Sequence, residues 1–193
     1  NLSNANLMYA NLGNADLYMA YLMNADLSNA DLTGAYLSSA ILYAADLSYA
    51  DLRYADLTGA DLYNADLSNA DLTNANLNSA NLNGADLNNA NLSGAEINYI
   101  HAINLQGCPV FLPTNWQCIQ NNLIGPNTDL SSANLSGADL TGADLSDSFL
   151  DLADLTYTNL SNVNLSNISL YGVKLNGADL TGADLTGAEL YYA

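Results

Sequence analysis

Apolar and polar positions along this chain recur with a period of five, which is neither the 3.6 of a helix nor the 2 of a flat strand. From Leu2 to Leu92 every fifth residue is leucine, Ile97 continues the series, and every fifth residue from Ala5 to Ala95 is alanine. The leucine series resumes from Leu130 to Leu190, giving thirteen units after twenty in the first run. On an α-helix a five-residue step turns about 140° beyond a full revolution, which would smear the leucines around the surface. In a flat strand an odd step would send successive leucines to opposite faces. The pattern therefore predicts a short extended Ala-Asp-Leu piece with Ala and Leu inward and the middle residue outward, then two residues that turn the chain once per repeat.

The chemistry of those two residues agrees. The second residue after the central Leu is Gly or Asn in twenty of the thirty-three pentads, as at Gly59, Asn64, Asn69 and Asn74. Both types tolerate the positive φ of a tight turn. The first is often Ser or Thr, whose hydroxyl bonds locally to a turn backbone.

These A(D/N)LXX tandem units resemble the pentapeptide-repeat proteins, which are abundant in cyanobacteria. The resemblance implies an all-β fold, a right-handed quadrilateral parallel β-helix with four pentads per coil, and so about eight coils spaced about 4.8 Å apart. The spacing alone requires only that each repeat turn. Most members of the family have no assigned biochemical activity, so the resemblance speaks to fold more than to function. The expected organisation is a first run over 1–97, an interruption with a frame shift over 98–127 and a second run over 128–193, all in one continuous β-helix domain.

The interruption holds all three prolines, both cysteines, and the only His and Trp. Ile103 and Leu105 are expected inward, as are Cys108 and Val110, with three extra residues absorbed as a bulge near Asn98 to Ala102. Pro113 and Pro126 mark a less regular stretch over 111–127. Cys108 and Cys118 suit closing a short loop onto its base, and a disulfide is the expectation. Two free buried thiols, or chemistry with His101, are the alternatives. Two cysteines and one histidine are too few for a structural zinc site. A disulfide would imply an oxidising compartment. For a cyanobacterial protein that means the periplasm or thylakoid lumen, with the cytoplasm as runner-up. Trp116 and Phe111 are read either as a recognition knob or as a cover for the loop's own core. His101 is read as a solvated loop or corner residue without a role.

Charge narrows the partners. Twenty acids against Arg53 and Lys174 give a net charge of −18, which repels nucleic acid and anionic lipid and favours cations or basic protein surfaces. No apolar run approaches the roughly 18 residues needed to span a bilayer. The chain begins at Asn1 without an initiator Met, so any targeting segment would lie outside it.

With twenty residues per coil, Asp26, Asp46, Asp66 and Asp86 share one outward column and Asp31, Asp51 and Asp71 another. Carboxylates about 4.8 Å apart repel by about 1 kcal/mol in water, and Asn76, Asn81 and Asn91 dilute that repulsion. The columns read as a solubilising wall that discourages lateral strand pairing, or as a weak cation-binding or DNA-mimicking face. Eight of thirteen tyrosines lie between Tyr9 and Tyr63, along with Met19 and Met23, and Met8 just precedes them. Met23, Tyr43 and Tyr63 fall in one column, and Tyr9 and Tyr49 in another. These residues and Trp116 form the candidate interaction surface, the alternative for the stacked rings being that they only stabilise neighbouring coils. In the second run Thr158, Val163, Ile168 and Val173 replace the inward Ala, predicting a bulkier coil.

An enzyme is the weakest reading, because the repeats supply acids without a basic or nucleophilic partner and without a phosphate-cradling glycine loop. No cofactor is expected. The preferred reading is a non-enzymatic scaffold for an unknown protein partner, monomeric or weakly associated end to end, since solenoid ends usually carry caps and none is evident here. The runner-up is mimicry of duplex DNA, since −18 over about 40 Å approaches the one charge per about 1.7 Å of the duplex. Family members that act on gyrase are proposed to work this way. They typically dimerise through a C-terminal helix and often carry Phe at the centre, whereas this chain carries Leu.

Overall fold

The computed structural model describes residues 1–193. Each pentad is an extended tripeptide closed by a turn in which the Leu carbonyl accepts the N–H of the next Ala, as from Ala25 to Leu22 at 3.0 Å. The second corner residue has positive φ, 53° at Asn24 and 64° at Gly59, as the third position of a type II turn requires.

Parallel bridges join residues twenty apart, including Asp26↔Asp46, Asp46↔Asp66 and Asp66↔Asp86, so four pentads complete one coil. Coils are then bonded through the backbone. Leu47 donates to Asp66 O at 2.7 Å, Tyr49 to Ser68 O at 3.0 Å and Asp46 to Ala25 O at 2.9 Å. The interior between them is leucine and alanine in register. Leu22 to Leu92 are fully buried, as are the alanines from Ala25 to Ala90. Each buried Leu contributes about 1.5–3 kcal/mol. There is no helix long and apolar enough to cross a membrane.

The chain divides into two compact units, Asn1–Thr114 and Asn115–Ala193. Bridges run from Asn6 to Phe111 in the first and from Asp129 to Glu189 in the second. The second unit opens with an antiparallel hairpin, β1 (Gln117–Ile119) and β2 (Asn122–Ile124), in which Cys118 faces Leu123. Strand β2 is buried, and the Asn122 amide caps the turn by donating to Gln120 O at 2.7 Å. The half-buried Trp116 packs its ring on Gly125, where a Cβ would lie 2.3 Å from the indole. Thr158, Val163, Ile168 and Val173 are all buried, and Thr158 Oγ1 offsets its polarity by donating to Leu135 O at 2.7 Å. Thr128 and Ser148 also point inward, Ser148 Oγ accepting from Thr128 N at 3.1 Å.

The frame shift lies later than the sequence suggests. His101 pairs with Asn81 at the regular spacing, so it is an ordinary outward ladder position and not a loop or corner residue. Ile100 takes the Ala place and Ala102 the Leu place, both buried. One residue is gained before Gly107, which pairs with Asp86 twenty-one positions away, and the twenty-residue spacing returns at Asn91↔Phe111. Val110 is not inward but 56% exposed. Its N–H donates to Ala90 O at 2.9 Å, the bond that outward residues make elsewhere, reached here one residue earlier than in the regular coils. Phe111 is exposed in the column that holds Asn91.

Because each Leu is walled by its neighbours along the column, truncation leaves a cavity that cannot collapse. Leu67→Ala should lower unfolding free energy by about 2–5 kcal/mol, read by chemical denaturation.

Candidate functional site

The outward Asp or Asn is first of all part of the turn. In pentad after pentad its Oδ1 accepts the N–H of the residue two positions on, as at Asp46 from Ser48 (2.9 Å), Asp66 from Ser68 (2.8 Å) and Asn91 from Ser93 (3.0 Å). This bond completes the accounting of the five backbone donors. Three N–H groups go to neighbouring coils, one closes the turn and the fifth meets this side chain. An acceptor two residues away requires the short reach of Asp or Asn, which explains why both fill the position interchangeably and Glu almost never does. Ser and Thr at the next place add a hydroxyl donor, as Ser28 Oγ to Asp26 Oδ1 at 2.6 Å.

Those bonds set the electrostatics. The Ser28 hydroxyl, helped by its N–H, holds the Asp26 carboxyl below its ordinary value, and Thr33, Thr141 and Thr181 do the same for Asp31, Asp139 and Asp179. The Arg53 guanidinium lowers Asp51, which it grips through Nε at 2.8 Å and Nη2 at 2.6 Å. Asp154 is lowered to about 2 by the Thr156 hydroxyl and then by Lys174, whose Nζ reaches it from the next coil at 3.0 Å. Asparagines also link successive coils within a column, Asn81 donating to Asp61 at 3.1 Å and Asn164 to Asp144 at 3.0 Å. They do more than dilute the charge.

The acids predicted to stack do stack, in the columns Asp26–Asp46–Asp66–Asp86 and Asp31–Asp51–Asp71. One oxygen of each carboxylate that braces a turn is already engaged there.

The tyrosines do not gather into one patch. Tyr43 and Tyr63 stack with centroids 5.6 Å apart and planes at 7°, and Met23 precedes them in the same column of corners. Tyr9 and Tyr49 lie on the next corner, beyond the Asp26 column, and hold positive φ of 58° and 59°. Trp116 belongs to the second unit, packed on Gly125. Cys108 and Cys118 are joined in a disulfide.

Sequence reasoning missed the residues that break the rule. Between Asn1 and Asn91 the outward position is Asp or Asn everywhere except Tyr21, Tyr36 and Ile41. Tyr21 pairs directly with Ile41, and Tyr36 lies in the neighbouring column between Asp16 and Asp56. The signal was available by reading the outward series alone.

Comparison with known proteins identifies the repeat. The family profile "Pentapeptide repeats (8 copies)" matches residues 1–20, 20–59, 55–94, 126–147, 133–170 and 148–187. The chain belongs to the pentapeptide-repeat family. Among solved pentapeptide-repeat proteins, HetL, involved in heterocyst differentiation regulation in the cyanobacterium Nostoc sp. strain PCC 7120, is 34% identical over 96% of this chain and 83% of its own, with a TM-score of 0.37. A thylakoid-lumen protein of Arabidopsis thaliana is 30% identical over 55% of this chain and 71% of its own, TM-score 0.43. The plasmid-mediated fluoroquinolone resistance protein QnrB1 is 23% identical over 88% and 79%, TM-score 0.43. No curated protein matches.

Removing the turn acceptor should cost more than removing its charge. Asp66→Ala orphans the Ser68 N–H and is expected to lose about 1 kcal/mol, as loss of a helix cap does, whereas Asp66→Asn should stay within about 0.5 kcal/mol. Denaturant midpoints at neutral pH check both.

Acid should destabilise the repeat. Carboxylates held below their ordinary value of 3.8 contribute stability that is complete above about pH 5 and is lost as pH falls through about 4 towards 2. Melting temperature is therefore expected to drop between pH 6 and pH 3. A rise would mean that relief of repulsion in the columns outweighs the turn bonds.

Proposed function

We propose that this chain is a non-enzymatic scaffold in an oxidising compartment, built as a right-handed β-helix and binding a protein partner through the outer surface of the Asn1–Thr114 unit. The observation that carries the reading is the cost at which aromatic residues are displayed there. Tyr9, Tyr49 and Tyr54 occupy left-handed corner positions with φ of 58°, 59° and 60°, where a bulky side chain costs about 1–2 kcal/mol and Gly or Asn costs less. All three are more than 60% exposed, so packing does not repay that cost. Large amphipathic rings held in fixed positions are what protein interfaces use.

The acids support a non-catalytic role. They brace turns, and the only imidazole, His101, stands in the ladder, with its backbone N–H donating to Ala80 O at 3.0 Å. The disulfide supports export to the periplasm or thylakoid lumen, because cytosolic thiols are kept reduced. A second reading, mimicry of duplex DNA towards an enzyme such as gyrase, draws on the unbroken carboxylate row from Asp26 to Asp86. It requires a cytoplasmic location and inhibition of DNA supercoiling by the purified protein.

Photo-crosslinking tests the scaffold reading. A benzophenone amino acid placed at Tyr43, Ser68, Thr73 or Thr58, one corner after each face, should yield a discrete protein adduct from at least the Tyr43 position in cells of origin. Absence of adducts from all four corners would overturn it. Protein isolated from those cells should carry no free thiol by alkylation and mass measurement, and two free thiols would remove the case for export.

A further inference from the structure

Tyr21, Tyr36 and Ile41 each stand where the run from Asn1 to Asn91 otherwise places a turn-bracing Asp or Asn, and each gives up that bond. The N–H groups of Met23, Ser38 and Tyr43 accordingly lack the side-chain acceptor that Ser48 and Ser68 have. Three losses would be unremarkable if scattered. They are instead adjacent, since Tyr21 bridges to Ile41 and Tyr36 lies on the face before them. Exposed corners extend the patch, with Tyr18 at 61% and Met19 at 56% on one side and Met23 at 38% and Tyr43 at 41% on the other. A run of local rules broken in one place, with its rings left largely exposed, marks a surface kept for something outside the molecule.

Carboxylates frame this strip. On one side runs the column of Asp26, Asp46 and Asp66, on the other stand Asp16 and Asp56, and Asp61 continues the column below Ile41. The turns use Oδ1 of Asp46 and Asp66, and their second oxygens make no hydrogen bond within the protein. Aromatic faces between carboxylates suit a guanidinium, which stacks on the ring while its N–H groups reach the acids. Strands spaced about 4.8 Å and outward residues on successive coils also suit an extended chain laid across them.

We infer that the strip formed by Tyr21, Ile41, Met23, Tyr43 and Tyr63, with Tyr36 beside it, binds an extended, arginine-bearing basic segment of a protein partner. The inference rests on the scaffold reading and assigns it a face and a partner chemistry.

The test uses the full chain and a fluorescein-labelled hexa-arginine peptide, followed by anisotropy. The variant Tyr21→Asp/Tyr36→Asp/Ile41→Asp restores the repeat rule, so it should fold and melt no lower than the parent. It also adds three negative charges. If attraction were charge alone, this variant would bind the peptide more tightly. The inference expects binding about tenfold weaker, and equal or tighter binding overturns it. Hexa-lysine should bind the parent several-fold more weakly than hexa-arginine, and equal affinity also overturns it. Asp51→Asn, on the opposite face, should change hexa-arginine binding by no more than about twofold. A protein adduct at Tyr43 together with failure of these peptide results would leave the scaffold reading standing and remove only the basic partner.

Discussion

The structure depends on one constraint: in the regular pentad, five backbone N–H groups must find acceptors although the chain bends too often to form a long strand. Three are met by the coils on either side, one by the Leu carbonyl of the same turn and one by the outward Asp or Asn. Each unpaired donor costs stability, and omitting the bond in most pentads would weaken the fold at every turn. The Leu and Ala columns fill the interior, but the side-chain acceptor makes so tight a repeat affordable.

That constraint recasts the negative charge. An acid on every face looks at first like a binding surface or a solubilising wall, and its repulsion a penalty. The carboxylates held below their ordinary value by Ser28, Thr33 or Thr141 show the opposite balance at those positions, because the turn favours the ionised form more than its neighbours oppose it. Asparagine serves the same turn without charge and bonds across coils as well. Net charge is thus largely a by-product of turn chemistry, which weakens any functional reading built on acidity alone.

Much of this was legible in the sequence. The period of five fixed which residues point inward, Gly and Asn fixed the corners, and stacking at twenty placed Asp26 over Asp46 before any coordinates. Two things were hidden, each for a physical reason. The regular frame through Ala102 was obscured because Ile100 and Ala102 exchange sizes, keeping the interior volume while removing the central leucine that a pattern search follows. The role of Asp was obscured because its partner is a backbone N–H two residues away, which leaves no mark in side-chain columns. Tyr21, Tyr36 and Ile41 break the outward Asp/Asn series in the sequence itself, but the break gains a meaning only when the outward residue has a task.

A repeat that solves its backbone problem identically in each unit also makes exceptions readable. In an irregular domain an exposed tyrosine says little, since apolar atoms cover much of any surface. Here every pentad is a control for every other, and a departure has a stated local cost: a lost turn acceptor at Tyr21 and Ile41, a strained φ at Tyr49 and Tyr54. The stacked pair Tyr43–Tyr63 and the edge-on pair Tyr171–Tyr192 recover part of that cost within the molecule. Departures also occur in the second unit, where Phe149 and Lys174 hold outward positions and Lys174 gains an ion pair with Asp154; on the Asn1–Thr114 unit Tyr21 and Tyr36 stay exposed without such a partner, which leaves their upkeep to something outside the molecule.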